Sequence, residues 1–407
     1  MKQVLLALFI FALSFSSKAT DLIVEEFGTL PTYGSIASAV AASVNGDRII
    51  IKNRAGDIPW IENITINKSL TFLSYTNNTQ FVVQGSYILD VANGREVNII
   101  GMKNTSGGIN TGTGSATSRS MKVSVMDSWL VSGNIDLDVT GIELQCVGNL
   151  LQSGSVIMFF GNCIGNEITS GTDPVKIWPG AIASSNDTCH VVGNKLNSTG
   201  NGSNAIFVSG SGQVYHIRNN YVQHKGYGIF LTLGSTLSIP NYIWNNTVIT
   251  NSNTSTTYGI FVTTQANSVC EIMNNILDEN ASGTTYGIHM ASAAQVNAYY
   301  NFVDSAFDFE MSGSFTFSGN NVINTTFTVN TNGTLPVGNP GINAGNPAQP
   351  YYDLDLTMGD VGAYGGSYTL TNFFPQFTGS SKVYFVKFPF NVRQGSTLSV
   401  KAFGYDR

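Results

Sequence analysis

Apolar residues recur along the middle of the chain in a fixed frame around a repeated asparagine. In each repeat, one apolar residue lies three positions before the asparagine and another lies two positions after it. The aligned asparagines are Asn194, Asn220, Asn246, Asn275, Asn301 and Asn320, separated by 26, 26, 29, 26 and 19 residues. A short strand pattern repeated every 20 to 30 residues or so is typical of solenoids, in which each repeat packs only against its neighbours.

A second apolar strand pattern lies between successive asparagines, at residues 205–208, 227–231, 258–262 and 286–290. Shorter strand patterns, separated by Gly, Asn and Ser, extend the repeat back to residue 49. More than one strand per repeat favours a parallel β-helix over a leucine-rich horseshoe. We therefore predict an all-β fold, a single right-handed parallel β-helix (a solenoid) at residues 49–366, with ten or eleven coils between residues 49 and 329.

The segment before the first coil has a helical pattern. Ile36, Val40 and Val44 are spaced four residues apart within residues 35–44. This spacing predicts a short amphipathic helix inside an N-terminal cap at residues 20–48. A helix in this place would cover the apolar end of the first coil and its unpaired strand edges.

Two further segments depart from the repeat. Residues 104–120 are rich in Gly, Ser and Thr, and they predict a loop that projects from one corner of the helix. Residues 367–407 contain two strand patterns on either side of a Gln-Gly pair, and they predict a C-terminal β-hairpin tail. The tail could cover the last coil or pack along one side of the helix.

The repeated asparagine has a structural explanation. Stacked coils place equivalent residues about 4.8 Å apart, which lets side-chain amides hydrogen-bond from one coil to the next. A buried amide without partners would cost about 1–3 kcal/mol. We therefore predict that Asn194, Asn220, Asn246, Asn275 and Asn301 stack in one column at a corner.

Charge and the N-terminal segment restrict the cellular context. Residues 1–19 have a lysine, an apolar stretch and a small-x-small pattern, which predict a secretory signal peptide. The chain has 19 Lys and Arg against 25 Asp and Glu, and no basic cluster, which argues against a nucleic-acid partner. No apolar run is long enough to span a membrane. We predict a secreted, periplasmic or cell-surface protein.

Both ends of the repeat resemble a known family. The helical pattern leading into residues 46–51, and residues 339–347, 353–356 and 360–366 near the other end, resemble exported bacterial right-handed β-helix proteins of the pectate-lyase-like superfamily. In that family's pattern a glycine stands where this chain has Leu356. The resemblance implies the fold but not the activity, because the family includes lyases, hydrolases, epimerases and adhesins.

Alternation of side chains along each strand predicts which residues face outward beside the asparagine corner. Two outward columns result, and they place on one face His216, Arg218, Tyr242, Trp244, Glu271 and Tyr299. Aromatic rings stack on the C–H faces of sugars, and charged groups hydrogen-bond to hydroxyls, so we predict a solvent-open glycan-binding strip. The alternative is that the tail or a loop covers the strip and uses its rings for packing.

The second repeated strand also predicts an outward column, formed by Phe207, Phe230, Phe261 and His289. Soluble proteins rarely leave a row of bulky rings fully exposed. We expect the tail or a partner subunit to cover this column, with a glycan platform as the alternative.

Sparse acids and bases favour a non-catalytic function. A glycosidase needs two carboxylates across a cleft, whereas Glu271 is the one acid on the strip, and no zinc or phosphate-loop spacing occurs. We predict an exported protein that binds glycans or acts as a surface or matrix protein. The alternative is a polysaccharide lyase, hydrolase or epimerase.

Two smaller predictions concern a metal and the cysteines. Asp353, Asp355 and Asp360 are a candidate calcium site, with turn-making aspartates as the alternative. Cys189 and Cys270 each lie five residues before a repeated asparagine, three coils apart, and this separation of about 14 Å forbids a disulfide. Only the spacing of Cys146 and Cys163 leaves a bridge open.

Overall fold

The protein is a parallel β-helix, seen here in a computed structural model. The structure describes residues 19–178, 188–210, 213–233, 239–252, 256–264, 268–291, 295–376, 382–387, 397–398 and 400–405. Each coil contributes one strand to each of three long parallel sheets, which we name A, B and C. The segment expected to be the signal peptide lies, apart from Ala19, outside the described residues.

The strands of the three sheets follow one another in the order A, B, C along the chain. Sheet A contains Asp21–Val24, Arg48–Ile51, Leu70–Ser74, Glu96–Ile100, Met121–Met126, Ile142–Val147, Gly161–Ile164, Thr188–Val192, Val214–Arg218, Asn241–Trp244, Val269–Met273, Gln295–Tyr299 and Phe317–Gly319. Sheet B contains Trp60–Ile61, Phe81–Gln84, Met102–Asn104, Trp129–Leu130, Leu150–Leu151, Glu167–Ser170, Lys195–Ser198, Tyr221–His224, Thr247–Thr250, Ile276–Glu279, Phe302–Asp304 and Val322–Thr325. Sheet C contains Ile64–Ile66, Tyr87–Val91, Ile109–Gly114, Ile135–Leu137, Val156–Met158, Val175–Ile177, Ile206–Gly210, Tyr227–Leu233, Thr257–Thr264, Thr285–Met290 and Phe309–Ser312.

These strands make eleven complete coils and part of a twelfth in the described chain, which confirms the predicted number of coils. Inside the helix, identical or similar apolar residues stack on one another, as Ile217, Ile243 and Ile272 do with no exposed surface. Each such side chain contributes about 1.5–3 kcal/mol through burial. The core is therefore a continuous column that every coil extends.

The loop predicted within residues 104–120 is partly wrong. Residues Ile109–Gly114 form a strand of sheet C that pairs with Tyr87–Val91, with a register shift after Thr111. Ile109 is fully buried, while the rest of the strand is half-buried or exposed. A strand that lies between two others can be held by main-chain hydrogen bonds and a single buried side chain. Its sequence then has too weak an apolar pattern to predict a strand.

A helix at Ile36–Ala42 caps the first coil, with Ser35 as its N-cap residue. Side chains from the first coil hold both of its ends. The Glu62 carboxylate accepts hydrogen bonds from the N–H groups of Ile36 and Ala37 at 3.0 and 2.8 Å. Lys68 Nζ donates to three carbonyl oxygens at the other end, which complements the helix dipole. Val44, predicted on the apolar face, lies beyond the helix and is 53% exposed.

The asparagine column is confirmed and is longer than the sequence pattern indicated. Side-chain amides donate to the Oδ1 atom of the next coil at 2.8–3.0 Å throughout. The column consists of Asn149, Asn166, Asn194, Asn220, Asn246, Asn275, Asn301 and Asn321. At the last position the predicted Asn320 is wrong, because Ala298 pairs with Ser318 and this register places Asn321 in the column.

The residue before each of these asparagines has a left-handed backbone, and several of these residues contact the C-terminal segment. Gly165 and Gly193 occupy this position at φ 64° and 66°, and a Cβ atom on either would lie within about 3 Å of Phe373. Farther along, Asn219 Nδ2 donates to Gly365 O at 2.6 Å, and Asn245 Nδ2 donates to Asp360 O at 3.2 Å. The corner therefore binds the C-terminal segment along the side of the helix.

The C-terminal segment, the described residues from 327 to 405, begins against Phe302 and Val322 of the last coils and runs back along the side of the helix. It contains 3₁₀ turns at Gln349–Tyr351 and Leu370–Asn372, and it ends in an antiparallel hairpin of Lys382–Lys387 with Lys401–Tyr405. It packs on an apolar column of sheet A formed by Ile100, Met126, Val147, Ile164 and Val192. Among the described residues, no helix is long and apolar enough to cross a membrane.

All four cysteines are buried and unbridged. Cys189 pairs in register with Tyr215, and Cys270 pairs with Asn241, so two coils lie between the cysteines and they are three coils apart, as predicted. Cys146 and Cys163 lie directly beside each other on neighbouring strands.

Candidate functional site

The structure brings the six predicted strip residues together on the outer face of sheet A. One column in register contains His190, His216, Tyr242, Glu271 and Asn297. The adjacent column contains Val192, Arg218, Trp244, Met273 and Tyr299. The predicted register of this face is therefore confirmed.

The predicted solvent-open character of the strip is wrong at its centre. Trp244 is 5% exposed and Arg218 is 6% exposed, because the segment around Tyr351 and Tyr368 lies over them. The Tyr351 ring packs on the Trp244 ring at 5.5 Å. The gap left between the strip and this segment is about 20 Å³, which is far too small for a sugar ring. Residues 350–368 form this cover, and the hairpin lies farther along sheet A.

Beneath this cover the strip is a packed aromatic and cationic cluster. The Arg218 guanidinium lies 4.6 Å from the centre of the Trp244 ring and 5.1 Å from that of Tyr242. Burial lowers the pKa of Arg218 to about 10, so the group stays charged at neutral pH. Tyr299 Oη donates to Glu271 Oε2 at 3.1 Å, and burial raises the pKa of both groups. These contacts stabilise the docking of the C-terminal segment.

An open cleft lies on the same face of sheet A, toward the N-terminal end. It has a volume of about 530 Å³, which is in the range of small-ligand sites. Its floor consists of outward residues of consecutive strands, and the hairpin supplies Phe385 and Phe403 as one wall. The lining residues are Ser118, Arg119, Lys122, Glu143, Gln145, Phe160, Asn162, Thr188, His190, Phe385 and Phe403.

Polar side chains on the cleft floor are held in fixed orientations by one another. Lys122 forms an ion pair with Glu143, which also accepts a hydrogen bond from Gln145 Nε2 at 3.3 Å. Asn162 Nδ2 donates to Gln145 Oε1 at 2.8 Å. The Oδ1 atom of Asn162 has no hydrogen-bond partner among the described residues. This oxygen is itself buried, so the polar groups of the floor that face the cleft are those of Lys122, Glu143 and Gln145.

Aromatic rings flank these polar groups. The Arg119 guanidinium lies over the Phe160 ring at 4.4 Å, and the His190 and Phe385 rings are 5.0 Å apart. The cleft therefore combines fixed donors and acceptors with apolar ring surfaces. Glu143 is the only carboxylate among the described residues that line the cleft, so the pair of carboxylates used by glycosidases is not present in that set.

A second cleft, of about 470 Å³, lies on the other side of the C-terminal segment. Its walls come largely from the segment itself, including Leu370, Phe374 and Pro375. Lys195 lies over the Phe374 ring at 4.1 Å and is used in docking that segment. The first cleft is the better candidate site because more independent polar side chains converge on it.

None of the residues that line this cleft was predicted from the sequence as part of a binding site. Asn162 and Gln145 occupy the same outward column as His190, one and two coils earlier. The repeat shortens there, since Asn149 and Asn166 are 17 residues apart. A search for asparagine at the longer spacing therefore stops before these coils. A search for an asparagine three residues after a cysteine or an apolar residue would have found Asn149 and Asn166, and with them these two coils.

The three aspartates of the candidate calcium site make the turn contacts that the alternative predicts. Asp353 accepts hydrogen bonds from the N–H groups of Asp360 and Gly366. Asp355 accepts from Thr357, and Asp360 Oδ1 accepts from the N–H group of Asn343 at 2.7 Å. No group of three or more His, Cys, Asp or Glu side chains arranged to hold a metal ion occurs in the described parts of the chain.

Comparison with known proteins does not extend this picture. No family model, no curated protein and no solved structure matches the chain.

Proposed function

We propose that this chain is an exported, non-catalytic glycan-binding protein of the pectate-lyase-like superfamily, and that the cleft beside the hairpin is its binding site. The observation that carries the proposal is the combination of fixed polar groups and ring surfaces in an open cleft of about 530 Å³. Sugars are bound by this combination, because hydroxyls need oriented donors and acceptors while C–H faces need apolar rings.

The charges in the cleft support a preference among glycans. Arg119 and Lys122 bring two positive charges, against one negative charge from Glu143. This excess favours acidic sugar units over neutral ones. Lys122 already forms an ion pair with Glu143, so it is more suited to binding a glycan than to acting as the base that removes a proton from it. The alternative of a polysaccharide lyase rests on the same two cationic residues.

The proposal is tested by isothermal titration with soluble acidic and neutral polysaccharides, using polygalacturonate, alginate and xylan. Arg119→Ala should weaken binding about ten-fold or more because it removes a ligand contact, and Asn162→Ala should do so because it releases the Gln145 side chain that Asn162 holds. Lys103→Ala is the control, since Lys103 lies over Trp129 on sheet B, away from the cleft.

A parallel assay separates binding from catalysis. New reducing ends, or ultraviolet absorbance from unsaturated products, would show that the cleft cleaves its ligand and would establish the enzymatic alternative. Binding that is unchanged in both cleft variants would contradict the cleft as the site.

A further inference from the structure

Two ladders of aromatic side chains run side by side along the outer face of sheet C. The first contains Trp178, Phe207, Phe230, Phe261 and His289. The second contains Tyr227, Tyr258, Tyr286 and Phe309. We call these nine residues the aromatic strip. Register pairing of the strands places each ring from Phe207 and Tyr227 onward directly beside its neighbour, whereas Trp178 follows Lys176, the residue that pairs with Phe207.

The strip extends over six strands and is open to solvent. Trp178 and Phe309 at its two ends are 46% and 47% exposed, and the other seven side chains are half-buried. We expected the tail or a partner subunit to cover this surface. The described hairpin strands instead pack on sheet A, where Phe385 meets His190 and Tyr368.

We propose that the aromatic strip is a second glycan-binding site, which takes one extended chain of a neutral, insoluble polysaccharide such as cellulose or chitin. The proposal deepens the proposed function and rests on it. It gives the protein two binding faces on one rigid rod, sheet A for soluble acidic chains and sheet C for a polysaccharide surface.

Ring geometry supports a carbohydrate ligand. Within each ladder the rings other than Trp178 are nearly parallel, as for Phe230 and Phe261 at 5.1 Å and 5°, whereas Tyr227 and Phe230 of different ladders are perpendicular. Because the rings of one ladder are perpendicular to those of the other, the two ladders cannot both have their ring planes across the helix axis. Both ring faces and ring edges are therefore presented at the surface. Apolar C–H groups of a sugar chain can pack on these faces, and the tyrosine hydroxyls recur at the coil spacing as hydrogen-bond partners.

The electrostatics support a neutral ligand. The strip contains no carboxylate, and burial lowers the pKa of His289, so its imidazole is neutral at pH 7. The nearest cation in the same outward column is Lys176, whose Nζ lies over the Trp178 ring at 4.4 Å. Apart from this lysine at one end, the strip is therefore apolar, unlike the cleft on sheet A, which is lined by Arg119, Lys122 and Glu143.

The dimensions of the strip argue against a protein partner. Six strands span five steps of about 4.8 Å, or about 24 Å, and two ring columns are about 10 Å wide. The resulting area of about 240 Å² is well below the roughly 800 Å² per partner of a stable interface. A narrow, straight apolar strip matches a linear chain that lies along the helix axis.

The test measures depletion of the protein from solution by microcrystalline cellulose and by insoluble chitin. The unmodified protein should bind at least one of these two probes. The double variant Phe230→Ala and Phe261→Ala should bind that probe about ten-fold more weakly. The milder variant Tyr258→Phe keeps the ring and should lose about three-fold through the missing hydroxyl. The control is Ile157→Ala, a residue that precedes Lys176 in the same outward column.

Thermal unfolding followed by circular dichroism establishes that each variant is folded, and Tyr258→Phe carries the test if the double variant is not. The proposal would be overturned if the unmodified protein bound neither probe. It would also be overturned if Tyr258→Phe and the double variant bound equally well. A change of oligomeric state in the double variant, seen by light scattering without any polysaccharide binding, would instead assign the strip to contacts between copies of the chain.

The two proposed sites can fail separately. If Arg119→Ala loses soluble glycans while both insoluble probes remain unbound, only the aromatic strip is wrong. If the double variant loses the insoluble probe while Arg119→Ala binds soluble glycans normally, only the cleft is wrong.

Discussion

Left-handed backbone positions show how single residues set the shape of this chain. Gly193 and Asn219 occupy equivalent corner positions at φ 66° and 52°. Glycine is used where Phe373 leaves no room for a Cβ atom, and asparagine is used where its amide can bind a carbonyl of the C-terminal segment. Both residue types tolerate this backbone region, so the choice between them depends on what lies above the corner.

Leu356 is in the same region at φ 68°, with no such compensation. Its side chain is 81% exposed, so it gains little from packing. Leu356→Gly should stabilise this turn by about 0.5–1 kcal/mol, because relief of left-handed strain exceeds the extra entropy of glycine in the unfolded chain. Hydrogen exchange of the Leu356 amide, which donates to Asp353 O, measures the change.

Leu354→Gly is the matched control for this turn. Leu354 is also exposed, at 61%, and its φ is not positive. That variant should leave the turn unchanged or weaken it. Equal stabilisation by both substitutions would show that strain at Leu356 is not the cause.

At the scale of elements, the asparagine column acts as a polar spine beside the apolar core. Asn246 shows the pattern of contacts in the middle of the column. Its Nδ2 atom donates to Ile217 O and to Asn275 Oδ1, and its Oδ1 atom accepts from both nitrogens of Asn220. The amide satisfies main-chain groups that the turn between sheets A and B leaves unpaired. The main chain of each coil is therefore hydrogen-bonded by the asparagine side chain of a neighbouring coil.

Asn246→Ala should destabilise the protein by about 2–4 kcal/mol, because it leaves several buried polar groups of Asn220 and Ile217 without partners. Urea denaturation followed by circular dichroism measures the loss. Asn280→Ala, at an exposed position after a strand of sheet B, should change stability by less than about 0.5 kcal/mol. A loss at Asn246 no larger than at Asn280 would mean that the column does not stabilise the coils.

At the scale of the whole molecule, the segment that follows the last strand of the helix, Val322–Thr325, is fastened to the side of the helix at several separate points. Phe373 lies at the corner glycines, Tyr351 covers Trp244, and the hairpin forms one wall of the cleft. Near the end of the helix, Asp278 Oδ2 accepts a hydrogen bond from Val329 N–H at 3.2 Å. The candidate site is therefore built jointly by the coils and by this returning segment.

The burial of the Asp278 carboxyl should make stability depend on pH. Burial, and then the neighbouring carboxylate of Asp304, raises the pKa of Asp278 to about 6, against about 3.9 in an unfolded chain. The folded protein thus holds this proton more tightly, and stability should fall as pH rises from about 4 to about 6 and stay lower above that.

Melting temperatures at pH 4 and pH 7.5 test this expectation. Relative to Asp278→Asn, the unmodified protein should lose stability between the two values. Asp136→Asn, at a half-buried position on the outer face of sheet C, is the control and should follow the unmodified protein. Parallel curves for the unmodified protein and Asp278→Asn would contradict the raised pKa.

The sequence by itself determined the architecture. The repeated frame around Asn194 through Asn301 predicted the coils, their register and the outward columns, because a stacked solenoid repeats its local contacts at every coil. The helical spacing at Ile36 and Val40 likewise predicted the cap. The same register kept Cys189 and Cys270 apart. These features depend on neighbours one coil away, which the spacing along the chain records.

Only the tertiary structure decided which outward faces are open. Trp244 and Arg218 have the composition of a binding strip, yet the segment at residues 350–368 buries them, while Asn162 and Gln145 line an open cleft. No periodic pattern encodes this outcome, because the returning segment contacts coils more than a hundred residues earlier in the chain, as Asn219 and Gly365 show. Contacts over such separations depend on where the chain turns back. The spacing of residues within the repeat does not indicate that position.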